Sequence, residues 1–89
     1  MKANIHNTPS IFVIMGVTGD LAAKKIIPSL WHLSLHGLLP DRLAVIGFAR
    51  RTLSDAEFEN LVRDAVMKQG GIKVVEEDFS RFFKLFSYH

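Results

Sequence analysis

Residues 11–22 read IFVIMGVTGDLA, and this stretch decides the fold. Residues 11–15 form a continuous apolar run, mostly of β-branched and aromatic side chains, which is typical of a strand buried on both faces of a parallel sheet. Gly16 interrupts the run at once. The stretch therefore predicts a buried strand followed by a turn that leads into a helix.

The helix after this turn is predicted from about Asp20 to His36, because apolar residues recur on one of its faces. That face consists of Ile27, Leu30 and Trp31. Gly37 is a natural C-terminal stop, and Pro40 lies just beyond it. Pro28 is expected to kink the helix, because it lacks a backbone donor and crowds the preceding turn.

Residues 43–48 (LAVIGF) predict a second buried strand. The segment 54–57 (SDAE) is a capping box, in which the serine caps backbone amides and the glutamate reaches back. An apolar stripe at helical spacing follows, and Gly70-Gly71 is expected to end this second helix. The stripe consists of Phe58, Leu61, Val62, Ala65 and Val66.

The end of the chain predicts a short third helix, which carries Phe79, Phe82 and Phe83, and the opening of a third strand over 85–88. The order of elements is then β-α-β-α-β, and right-handed crossovers would make the sheet parallel. This is the first half of a Rossmann-like, doubly wound α/β fold. Because such a fold needs more strands, we expect the chain to be a fragment of a longer protein.

Composition limits the classes of protein that remain. The chain has 89 residues, 48% hydrophobic and 22% charged, which suits one small globular domain. Its net charge of +2 comes from dispersed basic residues, so we expect no nucleic-acid partner. The N-terminus is polar and no apolar run could span a bilayer, so we expect no membrane partner and a cytoplasmic location. The absence of cysteine fits a reducing compartment.

Residues 16–22 follow the pattern G-x-x-G-x-x-A between a predicted strand and a predicted helix. Gly16 can turn the chain sharply, Gly19 lets a pyrophosphate approach the backbone, and Ala22 lets helix and sheet pack closely. Free amides at the helix start would face the phosphates, helped by the helix dipole. The pattern predicts a dinucleotide site formed by Gly16, Val17, Thr18, Gly19, Asp20, Leu21 and Ala22.

Two of these side chains allow alternative roles. The Thr18 hydroxyl could donate to a phosphate or could hold the loop. Asp20 is favourable at the positive end of a helix dipole but repels a pyrophosphate, so helix capping is favoured over direct contact with the cofactor.

The second strand ends in Gly47-Phe48-Ala49-Arg50-Arg51, without the acidic residue typical of NAD selectivity. A guanidinium group matches phosphate oxygens in a two-pronged way. We therefore expect NADP as the cofactor, with Arg50 on its 2′-phosphate and Arg51 as a second contact or an adenine-stacking group. Residues 11–89 would then be the N-terminal part of an NADP-binding domain, preceded by an arm over 1–10.

Three segments in combination resemble the glucose-6-phosphate dehydrogenase family: GVTGDLAAKKIIPSLWHLSLHGLLP at 16–40, GFARR at 47–51 and LSDAEFENLVRD at 53–64. The resemblance covers nearly the whole chain from Phe12 onward. It implies that residues 16–22 and Arg50 hold NADP and that Lys25 reaches toward the sugar phosphate. It also makes a proline inside the first helix expected. The family often has lysine where this chain has Ala23.

The resemblance implies oxidation of glucose 6-phosphate to 6-phosphogluconolactone, with hydride passing to NADP, in a homodimer or homotetramer. The family's general base is a histidine held by an aspartate in an Arg-Ile-Asp-His-Tyr-Leu-Gly-Lys type segment, which this chain lacks. None of the histidines, His6, His32, His36 and His89, has a matching context. We therefore predict no catalytic residue and no metal site here, and no dehydrogenase activity in the isolated chain.

Three other interpretations remain open at this point. An extended short-chain reductase would share the turn and the arginine but would need a Tyr-x-x-x-Lys pair, which Tyr88 does not supply within this chain. A regulatory domain that senses NADP could use the same fold without catalysis. The chain could also bind nothing, because half of the cofactor cleft would lie elsewhere.

Overall fold

The structure is a computed structural model and describes residues 9–70 and 74–89. In this part of the chain three strands form one parallel sheet in the order β1-β2-β3: β1 is Ser10–Met15, β2 is Leu43–Phe48 and β3 is Phe86–Tyr88. The register aligns Ile14 with Gly47 and Gly47 with Tyr88, so the carboxyl ends of all three strands meet at one edge. The predicted parallel α/β arrangement is confirmed.

The connection from β1 to β2 is a π-helical segment, Ala22–Ile26, which continues into the α-helix α1, Ile27–Leu35. The Ile27 amide donates to the carbonyl of Ala22, five residues back. Pro28 thus stands in the first turn of α1, where a missing donor costs little. The predicted helical span is confirmed, because helical residues run without a break from Asp20 to Leu35; the prediction missed that the turn before Pro28 is π-helical.

The buried face and the end of α1 follow the sequence pattern. Ile27, Leu30 and Trp31 are buried, and Gly37 ends the helix with φ of 66°. His36 serves as the C-terminal cap, with its ring Nδ1 2.9 Å from the carbonyl oxygen of His32. These histidines therefore finish a helix, and the described residues contain no cluster of three metal-ligating side chains.

The second crossover contains α2, Asp55–Gly70, and α3, Glu76–Phe83. In α2 the predicted capping box is present: the Ser54 amide donates to Glu57 Oε1 at 2.8 Å, and the Glu57 amide donates to Ser54 Oγ at 3.1 Å. The predicted stripe of α2 is buried, with Leu61 half-buried. Gly71, predicted to share in ending this helix, lies outside the described residues.

The core lies on one side of the sheet, between β2 and the three helices, and is rich in aromatic rings. Trp31 of α1 meets Phe82 of α3 edge to face at 5.1 Å between ring centroids, and Phe82 meets Phe86 of β3 at 5.0 Å. Arg63 of α2 binds Glu76 of α3, and its guanidinium lies 4.3 Å from the centroid of the Phe79 ring. None of the helices among the described residues is long and apolar enough to cross a bilayer.

Two predictions about the start of the chain change. Residues 1–8 of the predicted arm lie outside the described residues, and Ser10 already belongs to β1. The strand is also not buried on both faces: Ile14 is buried, whereas Ile11 is 70% and Met15 75% exposed. The reason is that Ile11, Val13 and Met15 point to the face of the sheet opposite the core, and no helix among the described residues covers that face.

Candidate functional site

The turn after β1 is attached to the end of β2 through main-chain hydrogen bonds. Gly16 has φ of 69°, a conformation that suits glycine, and reverses the chain. The amides of Gly16 and Val17 both donate to the carbonyl oxygen of Phe48, at 2.8 and 3.0 Å. The Gly19 amide donates to the carbonyl of Gly16 at 2.9 Å, so the loop closes on itself.

The glycines of the turn have different reasons for lacking a side chain. A Cβ at Gly19 would lie 3.2 Å from the Gly16 carbonyl oxygen, so Gly19 is required by the loop's own closure as well as by any ligand. A Cβ at Gly16 would meet nothing within 4 Å, so the outer side of the turn is open. Space for a ligand therefore lies over Gly16.

Val17 anchors the loop in the core. Its side chain is fully buried and fills the space beside Gly47 of β2. A Cβ at Gly47 would lie only 3.0 Å from Val17 Cγ2. Sequence reasoning treated Gly47 as an ordinary strand residue and missed this role. Only the pairing of β1 with β2 brings the two residues together.

The start of the helix has unused backbone donors, and the side chains of Thr18 and Asp20 there differ from their predicted roles. Within the described residues, the amides of Thr18, Asp20 and Leu21 have no hydrogen-bond acceptor. The Thr18 hydroxyl bonds to no described group, so it does not hold the loop. The Asp20 side chain forms no capping hydrogen bond, so the favoured capping role is wrong; the helix simply lacks a side-chain cap.

The predicted arginines lie next to this turn. A cavity of about 540 Å³ opens at the carboxyl edge of the sheet between the β1 turn and the β2 turn. Its lining consists of Met15, Gly16, Thr18, Phe48, Ala49, Arg50 and Arg51. Both guanidinium groups are in exposed residues, and neither joins an ion pair with a described residue. The structure thus places two free cations and Thr18, whose amide is unused, around one space.

The turn that carries the arginines is tied to β3 and α2. The hydroxyl of Tyr88 donates to the carbonyl oxygen of Arg51. The backbone amide and then the hydroxyl of Ser54 lower the pKa of Glu57, with a smaller contribution from the charge of Arg51. The charge of Arg51 thus acts on the carboxylate of Glu57. Tyr88 and Arg51 are 37 positions apart in the sequence, so no local sequence pattern indicates this contact.

Lys25 lies apart from this cavity. It is exposed in the π-helical segment and lines a separate open cavity of about 450 Å³ together with Lys24, Ser29 and His32. Five of the predicted cofactor residues do not line the cavity of Arg50: Val17, Gly19, Asp20, Leu21 and Ala22. Ala22 is buried, as expected of a residue at close helix–sheet packing.

Comparison with known families gives a clear result. The sequence model described as "Glucose-6-phosphate dehydrogenase, NAD binding domain" matches residues 13–89. The chain belongs to the glucose-6-phosphate dehydrogenase family. Within that family it carries a dinucleotide-binding domain, in agreement with the predicted resemblance.

Relatives of the glucose-6-phosphate dehydrogenase family are similar over most of this chain. Glucose-6-phosphate 1-dehydrogenase of Chlamydia pneumoniae is 42% identical over 84% of the chain and 15% of its own length. The enzyme of the same name from Takifugu rubripes is 42% identical over 97% of the chain and 14% of its own length. The chain therefore spans about 15% of the length of these relatives.

Solved structures of the glucose-6-phosphate dehydrogenase family share the fold. The Mycobacterium avium enzyme matches with a TM-score of 0.80 and 27% identity, over 91% of this chain and 17% of its own. A glucose-6-phosphate dehydrogenase in complex with its substrate glucose-6-phosphate matches with a TM-score of 0.78 and 31% identity, over 99% of this chain and 18% of its own. Membership of this family argues against the extended short-chain reductase.

Proposed function

We propose that this chain is the NADP-binding, N-terminal part of a glucose-6-phosphate 1-dehydrogenase. The whole enzyme oxidises glucose 6-phosphate at C1 to 6-phosphogluconolactone in the oxidative pentose phosphate pathway. The bound NADP accepts the hydride in that reaction. We further propose a cytoplasmic enzyme that works as a homodimer or homotetramer, without a nucleic-acid or membrane partner.

The observation that carries the NADP proposal is the cavity shared by the β1 turn and the β2 turn. A dinucleotide with a 2′-phosphate has two separate anionic groups. The unused amide of Thr18, which lines this cavity, suits the pyrophosphate, and Arg50 at the other wall suits the 2′-phosphate. NAD lacks the second anionic group, so Arg50 has a partner only in NADP.

The proposed task of this chain is to hold and orient the cofactor. Residues 16–22, with their two hydrogen bonds to Phe48, keep the pyrophosphate at a fixed point of the sheet edge. Arg50 would hold the 2′-phosphate at the adenosine end of the cofactor. Lys25 would reach the sugar phosphate from the separate cavity that it lines. The histidine that takes the C1 hydroxyl proton is not among these residues, so the isolated chain binds without catalysing.

The test is Arg50→Ala, with calorimetric titration of NADP and NAD. Loss of charge-assisted hydrogen bonds should weaken NADP about 10- to 100-fold, while the affinity for NAD stays nearly unchanged. Arg42→Ala is the matched control, because Arg42 is an equally exposed arginine that immediately precedes the other end of β2. Equal losses for both cofactors in the Arg50 variant would refute its assignment to the 2′-phosphate.

A second measurement tests whether this chain binds the cofactor without catalysing the reaction. The 89-residue chain should produce no NADPH from glucose 6-phosphate and NADP, because the general base is not part of it. Turnover above the rate of a buffer blank would contradict the proposal that this chain supplies only binding.

A further inference from the structure

The segment 49–53, which carries both arginines, has few attachments to the rest of the molecule. It follows the last residue of β2 and precedes the capping box of α2. Within the described residues, the only hydrogen bond to any atom of this segment comes from the hydroxyl of Tyr88 to the carbonyl oxygen of Arg51. Ala49 and Leu53 pack against the core at the two ends of the segment, and this hydrogen bond is the one polar contact that holds the arginines between them.

Tyr88 is itself held firmly. It is half-buried at the end of β3, in register with Gly47, and its ring packs against Phe58 of α2 at 5.1 Å between ring centroids. The next residue, His89, donates its amide to the carbonyl of Gly47 at 2.8 Å. The donor is thus fixed by β2 and α2, whereas its acceptor lies between Ala49 and Leu53, whose apolar contacts with the core are the other attachments of the segment.

The structure assigns Tyr88 as a positioning residue for recognition of the NADP 2′-phosphate. The tyrosine need not touch the cofactor. By holding the Arg51 carbonyl it keeps the β2 turn against the cavity, so that the guanidinium of Arg50 meets the 2′-phosphate without first paying the entropy of ordering the turn. This inference rests on the proposed function, because it concerns the cofactor preference of the same site.

Tyr88→Phe is the decisive variant, because it removes the hydroxyl and keeps the ring that packs on Phe58. Ser87→Ala is the matched control: it removes an exposed hydroxyl from the same strand, and Ser87 bonds to no described side chain. Affinities for NADP and NAD are measured by calorimetry on the protein that carries this chain at its full natural length. The preference for NADP should fall about 2- to 12-fold in Tyr88→Phe, the range expected for one hydrogen bond, and should stay unchanged in Ser87→Ala.

A general loss of stability would weaken the binding of both cofactors alike. The ratio of the two affinities therefore distinguishes a positioning role of Tyr88 from an effect on folding. An unchanged ratio in Tyr88→Phe, with a wild-type protein that prefers NADP, overturns the inference and leaves the proposed function standing. A wild-type protein with equal affinities for the two cofactors contradicts the proposed function itself.

Limited digestion with trypsin tests the tether without any cofactor. Trypsin cleaves after Arg50 and Arg51, and access to these bonds requires the turn to leave the body of the protein. Mass spectrometry should show cleavage there about 2- to 12-fold faster in Tyr88→Phe than in wild type or Ser87→Ala. Equal cleavage rates in all three proteins would overturn the role of Tyr88, whatever the cofactor measurements show.

Discussion

Replacing Gly47 by alanine should displace the turn after β1, although Gly47 does not line the cavity proposed for NADP. The added Cβ would lie 3.0 Å from Val17 Cγ2 and 3.1 Å from both Val17 Cβ and Cγ1. Val17 has little freedom to move away, because it is fully buried and its amide is bonded to the Phe48 carbonyl. The clash must therefore be relieved by displacing the turn.

The magnitude follows from two opposing effects. Overpacking of a buried site costs about 1–3 kcal/mol. Replacing glycine by alanine restricts the unfolded chain and returns about 0.4–1 kcal/mol. The net loss in the free energy of unfolding should be about 1–2 kcal/mol, measured by urea denaturation. For a domain of this size each kcal/mol corresponds to a fall in Tm of about 4–8 °C.

The double variant Val17→Ala/Gly47→Ala separates this mechanism from a general weakening of β2. Removing both Cγ atoms relieves two of the three close contacts and leaves that with Val17 Cβ. The double variant should therefore be more stable than the sum of the single losses predicts, by at least about 0.5 kcal/mol. NADP binding should weaken in Gly47→Ala, since the turn over the cavity shifts. Losses that add within about 0.3 kcal/mol would refute the proposed contact.

Three further predictions concern other parts of the structure. Gly16→Ala and Gly37→Ala should each lower the free energy of unfolding by about 1–2 kcal/mol, because both residues have positive φ; neither added Cβ meets an atom within 4 Å. Only Gly16→Ala should weaken NADP binding, as measured by calorimetry. Arg63→Ala should lower the free energy of unfolding by about 1 kcal/mol, through its contacts with α3, whereas Arg81→Ala should change it little, since its ion pair is with a neighbour one turn away in the same helix. Folding lowers the pKa of Glu57, so its ionised carboxylate stabilises the protein fully at pH values above its ordinary pKa of 4.5. This stabilisation is lost as the pH falls from that value through the folded pKa. The stability difference between wild type and Glu57→Gln should therefore be constant at neutral pH and shrink in acid.

Much of the fold was predictable because it depends on interactions between near neighbours. The limits of β2 and the reciprocal hydrogen bonds of Ser54 and Glu57 follow from apolar runs and capping chemistry within a few residues. The reversal at Gly16 is likewise local, because it requires only a positive φ. The pairing of the glycine turn with Arg50 was also predictable, because parallel strands bring their carboxyl ends to one edge.

Other features could not be read from neighbouring residues. The exposure of β1 arises because the described helices cover only one face of the sheet, although its apolar run suggested burial on both faces. The sequence showed that Pro28 would disturb the helix, but not that the backbone would form a π turn before it. Asp20 shows the limit of rules for helix ends, because its position suited a cap that its side chain does not form.

The sequence by itself determined the order of the elements, the glycine turn and the family. Only the tertiary structure decided which distant residues support the site. Gly47 makes room for Val17, and Tyr88 holds the carbonyl of Arg51, because the register of three strands brings together residues 30 and 37 positions apart in the sequence. Such contacts leave no periodic or local signal, since neither partner differs from an ordinary strand or turn residue until the sheet has formed.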